Sequence, residues 1–112
     1  MNKIILGGSK ATNRLRKILR SRAEIRLDAD HMFHARTVEV SMLGVSLMSP
    51  HELRIGTCLT VTFPIPTQGR LETINAEATV SYNTPDGTEG YRLGIRFNAQ
   101  DALRNNLIKS LL

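Results

Sequence analysis

The stretch AEATVSYNTPDGTEGYRLGIRF, Ala76–Phe97, decides the fold. Ala76, Ala78 and Val80 alternate with Glu77, Thr79 and Ser81, the period of a strand with one buried face. Asn83-Thr-Pro-Asp-Gly87 carries turn chemistry and reads as a loop, and Tyr91–Phe97 follows as the last strand. Toward the N-terminus the same pattern recurs. Cys58–Phe63 is a strand closed by Pro64 and Pro66, which cannot donate to a central ladder. Gly44–Met48 is another, ending at Pro50, and Arg36–Ser41 places Val38 and Val40 on one face. Ala23, Ile25 and Leu27 alternate with Arg22, Glu24 and Arg26, ahead of a turn at Asp28-Ala29-Asp30.

The period changes only near the ends. Ala102, Leu103, Leu107, Ile108, Leu111 and Leu112 recur at helical spacing behind a candidate cap at Asn98. Leu15, Ile18 and Leu19 share one face of a short helix expected within Thr12–Ser21. Six or so short strands and one terminal helix describe a mostly β fold, a small six-stranded antiparallel β-barrel with a C-terminal α-helix. A chain of 112 residues has material for one core. The expected organisation is a flexible segment over 1–13 and a barrel domain over 14–112, with a basic arm at 14–22 and the helix at 99–112.

Composition narrows the function. A hydrophobic fraction of 41% is ordinary for a globular domain and argues against wholesale disorder. No apolar run is long enough to span a membrane, and MNKIILGGSK has too short an apolar core for a signal peptide. One cysteine, Cys58, forms no internal disulfide and fits a reducing compartment, so the expected location is the cytoplasm. The net charge of +5 favours an anionic partner. It is concentrated in Lys10, Arg14, Arg16, Lys17, Arg20, Arg22 and Arg26, opposed within that segment by Glu24 alone.

The catalytic inventory is poor. His31, His34 and His51 are the only histidines, and no acidic or thiol cluster completes a metal set. They read as solvated or hydrogen-bonding residues. Cys58 lies in a strand without a basic neighbour and reads as a buried small hydrophobe. Gly7-Gly8-Ser9-Lys10 lacks the spacing of a phosphate-binding loop. The chain is therefore expected to bind rather than catalyse, without a cofactor.

Arg16-Lys-Ile-Leu-Arg20 puts two guanidinium groups four residues apart, on one side of either a helical turn or an extended segment. Such planar, permanently charged forks suit phosphate and the edge of guanine. Taken alone, the pair reads first as the solvated face of an amphipathic segment. In EVSMLG, Glu39–Gly44, the carboxylate and the Ser41 hydroxyl lie on the face opposite Val38 and Val40. A carboxylate accepts from guanine N1–H and N2–H, and a hydroxyl serves a phosphate or base edge. Gly44 permits a tight turn and a close approach of ligand to backbone.

Together these segments resemble the PilZ domain family, receptor modules for the bacterial second messenger cyclic di-GMP. The family signature is R-x-x-x-R before the first barrel strand and D/N-x-S-x-x-G at the end of the second. Arg16 and Arg20 match the first, and Ser41 and Gly44 the second, with Glu39 in place of Asp or Asn. Leu93-Gly-Ile-Arg-Phe97 resembles the family's late L-G-x-x-F. The resemblance covers about Arg14 to Leu112. It implies a cyclic di-GMP site of Arg16, Arg20, Glu39, Ser41 and Gly44, with Arg22 as an assisting cation. It also implies a protein effector partner, in settings such as motility and biofilm formation.

The resemblance leaves a second role open, a degenerate adaptor without nucleotide binding, as in type IV pilus assembly. Two departures bear on the choice. Glu39 is a methylene longer than Asp, and the run from Arg20 to the strand near Arg22 is short. A nucleic-acid-binding barrel is the third reading. It is disfavoured by an aromatic content of 4%, since single-strand binders stack bases on several rings. Neither a specific nucleic acid nor membrane insertion is expected.

Overall fold

A computed structural model describes residues 15–87 and 90–112. Among these residues, seven strands and one helix follow in chain order: β1 (Lys17–Ile18), β2 (Arg22–Asp28), β3 (His31–Val40), β4 (Gly44–Ser49), β5 (Cys58–Thr67), β6 (Arg70–Pro85), β7 (Tyr91–Phe97) and α1 (Ala102–Lys109). The sheet runs β1-β3-β2-β5-β6-β7-β4, and β4 also pairs with β3. That last pairing closes six antiparallel strands into a barrel, with β1 as an extra strand beside β3. The expected fold is the one observed.

Alternation builds the core. Ala23 and Ile25 of β2, Val61, Phe63 and Ile65 of β5, and Leu93 and Ile95 of β7 all point inward. Each fully buried Val, Leu, Ile or Phe among them contributes on the order of 1.5–3 kcal/mol. Ile108 of α1, itself fully buried, joins the helix to the same core. The helix starts later than its spacing implied, because Asp101, not Asn98, caps it: the Asp101 carboxylate accepts from the Arg104 N–H at 2.9 Å. Asn98 instead accepts from the Thr79 hydroxyl.

Several expectations are corrected. The described part of Thr12–Ser21 is extended rather than helical. Lys17 and Ile18 pair with Val40 and Glu39, and Leu19 N–H donates to Val38 O at 2.9 Å. Thr12–Arg14, the expected flexible segment 1–13 and the Gly7–Lys10 motif lie outside the described residues. Pro64 and Pro66 do not close β5. The strand runs through them, paired with β6 from Cys58↔Thr79 to Thr67↔Arg70. Both missing N–H groups face away from β6, on an edge that β2 covers only at Thr60–Thr62. Gln68 and Gly69, both at positive φ, then turn the chain in a two-residue hairpin.

Asn83–Pro85, expected as loop, extends β6 and pairs with Leu93, Arg92 and Tyr91. Cys58 is exposed, because Leu59 takes the inward position at the start of β5. The Asp28–Asp30 turn forms as expected, with Asp30 N–H donating to the Asp28 carboxylate at 2.8 Å.

Candidate ligand-binding groove

One outer groove of about 250 Å³ lies over β3, β4, β6 and β7. Its floor is a row of cross-strand partners: Glu39 opposite Ser46, Ser46 opposite Gly94, and Gly94 opposite Tyr82. Arg16, Ser41, Gly44 and Arg96 also line it.

Glu39 reaches this face through a β-bulge. Ala35 and Thr37 point inward, so strict alternation would bury residue 39. The register shifts between Thr37 and Glu39, and the phase changes: Val40 is buried, Val38 only half-buried and Glu39 turned toward the groove. The expectation that Val38 and Val40 share the inner face is corrected by this extra residue. Glu39 N–H donates to the Ser46 hydroxyl at 3.2 Å, tying β3 to β4 beneath the groove.

The turn after β3 is held by its own side chains. Ser41 is buried, its hydroxyl accepts from Leu43 N–H at 3.1 Å, and its N–H donates to Gly44 O at 2.9 Å. Gly44 stands opposite Arg96, where a Cβ would collide with the Ile95 carbonyl oxygen. The close approach at Gly44 is that of the β7 backbone, so absence of a side chain matters there.

The arm is fastened across β3. Thr37, buried, accepts from Ser21 N–H at 2.8 Å, and its hydroxyl donates to Leu19 O at 2.5 Å. Leu19 is thereby buried, whereas Leu15 and Ile18 remain exposed. This brings the Arg16 guanidinium to 3.8 Å from the Glu39 carboxylate at the groove rim. Arg20 and Arg22 are exposed and do not line the groove. Arg22 stands opposite Arg36 across the β2–β3 pair.

Two lining residues escaped the sequence reading. Tyr82 is 41% exposed, and its ring lies where a Cβ on Gly94 would have to go. Arg96 projects outward from β7 and belongs to none of the ion pairs among the described residues. The glycine of Leu93-Gly94 was the available signal: a glycine in mid-strand marks a close approach.

The groove can hold an anionic, planar ligand. It offers guanidinium groups at Arg16 and Arg96, a carboxylate at Glu39, a hydroxyl at Ser41 and an aromatic ring at Tyr82. Among the described residues no three His, Cys, Asp or Glu side chains gather to hold a metal, and no helix is long and apolar enough to cross a membrane.

The sequence matches the family profile of the PilZ domain over residues 13–112. The chain belongs to the PilZ domain family. Solved structures share the PilZ fold. The chain is similar to the Bacillus subtilis inhibitor of motility MotI/DgrA, with a TM-score of 0.75 and 15% identity over 85% of this chain and 46% of that one. It is also similar to the PilZ domain of YcgR from Escherichia coli, solved with c-di-GMP, with a TM-score of 0.62 and 19% identity over 87% and 88% of the two chains. The chain thus spans about half the length of MotI/DgrA. No curated protein sequence matches it.

Proposed function

We propose that this PilZ domain is a cytoplasmic receptor for cyclic di-GMP that relays the signal to a protein partner through its arginine arm. The observation that carries the reading is the convergence of Arg16, Glu39, Ser41 and Gly44 on one groove, with the arm laid across its rim. Arg16 and Arg20 grip phosphate and guanine, since a guanidinium fork matches both. The Glu39 carboxylate accepts from the guanine N1–H and N2–H donors. The Ser41 hydroxyl serves a phosphate or base edge, and Arg22 assists from the arm's end. Neutralising the arginines reorders the arm and alters the presentation of Leu15 and Ile18, which are exposed apolar residues suited to an effector contact. The titrating experiment is calorimetry with cyclic di-GMP, with GMP and cyclic di-AMP as controls. Micromolar or tighter binding, lost in a folded Arg16→Ala/Arg20→Ala variant, is expected. A folded variant that binds like the parent overturns the site.

The Arg16–Glu39 pair favours one second reading, an adaptor without nucleotide, because the groove's own acid already neutralises one arginine. MotI/DgrA, described as an inhibitor of motility, gives that reading a setting. Absence of heat with all three nucleotides decides for it.

A further inference from the structure

We propose that Tyr82 is the stacking platform for the second guanine of the ligand, with Arg96 as a phosphate contact between the two bases. This rests on the receptor reading above and extends it to residues outside the two signature motifs.

The groove is built with a symmetry. In β6, Ala76, Ala78 and Val80 point inward, so alternation would bury residue 82 as well. The register with β7 shifts between Val80 and Tyr82, and Ser81 is the extra residue. Ser81 fastens this bulge by donating to Gly94 O at 3.1 Å. Tyr82 consequently turns out to the surface, as Glu39 does at the bulge in β3. Bulges commonly re-aim side chains beside functional sites, and here two of them aim the ends of one row into one groove.

Glu39 and Tyr82 stand at opposite ends of that row, three strand spacings or about 14 Å apart along the sheet. Between them lie Ser46, whose small side chain leaves room for a ligand, and Gly94, which the Tyr82 ring covers. A guanine held by Glu39 leaves the other base of a cyclic dinucleotide toward the Tyr82 end. The ring sits over Gly94, which gives one side of it a fixed backing, while its 41% exposure leaves surface for a base. Arg96 is two residues along β7 from Gly94 on the same face, between Gly44, which has no side chain, and the short Thr79. Its guanidinium therefore reaches the groove between the two bases, where the phosphates of a bridging ligand run.

The test uses the full chain with Tyr82→Phe, Tyr82→Leu and Arg96→Gln, titrated calorimetrically with cyclic di-GMP and followed by NMR of the guanine H8 proton. Leucine keeps Gly94 covered but has no π face, so loss of fold does not explain its effect. Tyr82→Leu is expected to weaken binding about tenfold or more, and Tyr82→Phe by no more than about twofold. Parent and Phe variant should show one upfield-shifted H8 signal that the Leu variant lacks. Arg96→Gln is expected to weaken binding about tenfold. Parent binding with Tyr82→Leu within about twofold, and an unchanged H8 shift, overturns the platform while leaving the receptor intact. No binding by the parent overturns the receptor reading, and this inference with it.

Discussion

The guanidinium of Arg16 and the carboxylate of Glu39 face each other at 3.8 Å across the rim of the groove, the arm against the end of β3. Both side chains are solvent-accessible, so the pair contributes within about 1 kcal/mol to stability. Its meaning is functional. Glu39→Ala should leave the melting temperature nearly unchanged and weaken cyclic di-GMP binding about tenfold, because a charged acceptor for guanine is lost. Tighter binding by the variant would identify Glu39 as a competitor for Arg16 instead.

Gly44 has no room for any side chain. In Gly44→Ala the new Cβ meets the Ile95 carbonyl, and β4 must part from β7. A loss of about 1–3 kcal/mol is expected, read as a lower midpoint in chemical denaturation. Conformational freedom is not the reason, since Gly44 is absent from the residues at positive φ.

Thr37 fastens the arm. Thr37→Val leaves Leu19 O and Ser21 N–H without their side-chain partner inside the barrel wall. Stability should fall by about 1–3 kcal/mol, and the Ser21 amide should exchange faster with solvent. Thr37→Ser keeps the hydroxyl and should restore most of the protection.

Asp28 carries a pH dependence. The His31 side chain bonded to its carboxylate at 2.8 Å, and then the Asp30 N–H, hold its pKa below the usual carboxylate value. A depressed folded pKa stabilises the turn at neutral pH, and that contribution is lost as pH falls through the folded value. NMR titration should place the Asp28 midpoint below that of a free aspartate, and His31→Ala should raise it.

Much of the barrel was legible in its sequence because strands such as β2 are half-buried and alternate, Ala23 and Ile25 inward against Arg22, Glu24 and Arg26. The two bulges beneath the groove were not. One extra residue at Val38 or Ser81 leaves composition and turn signals untouched, yet reverses which side of the sheet follows. That is why the approximate place of Glu39 could be read and Tyr82 was missed. Arg16, Ser41 and Gly44 were legible because their motifs lie within short stretches of chain. Tyr82 and Arg96 join them only through cross-strand register, which no local spacing encodes. The arm misled for another reason. Leu15, Ile18 and Leu19 have helical spacing, but backbone pairing with β3 and the Thr37 hydroxyl draw Leu19 inward and leave the other two outside.

Pro64 and Pro66 have a consequence for association between molecules. Beyond Thr60–Thr62 the edge of β5 is no longer paired with β2, and the Ser21 hydroxyl donates to the Pro64 carbonyl there at 3.4 Å; unpaired edges are the kind of surface that recruits a strand from another chain. Two successive outward positions of that edge lack a donor, so an incoming strand would leave carbonyls unmatched along it. The two prolines therefore make this edge of the barrel's longest hairpin a poor template for edge-to-edge aggregation.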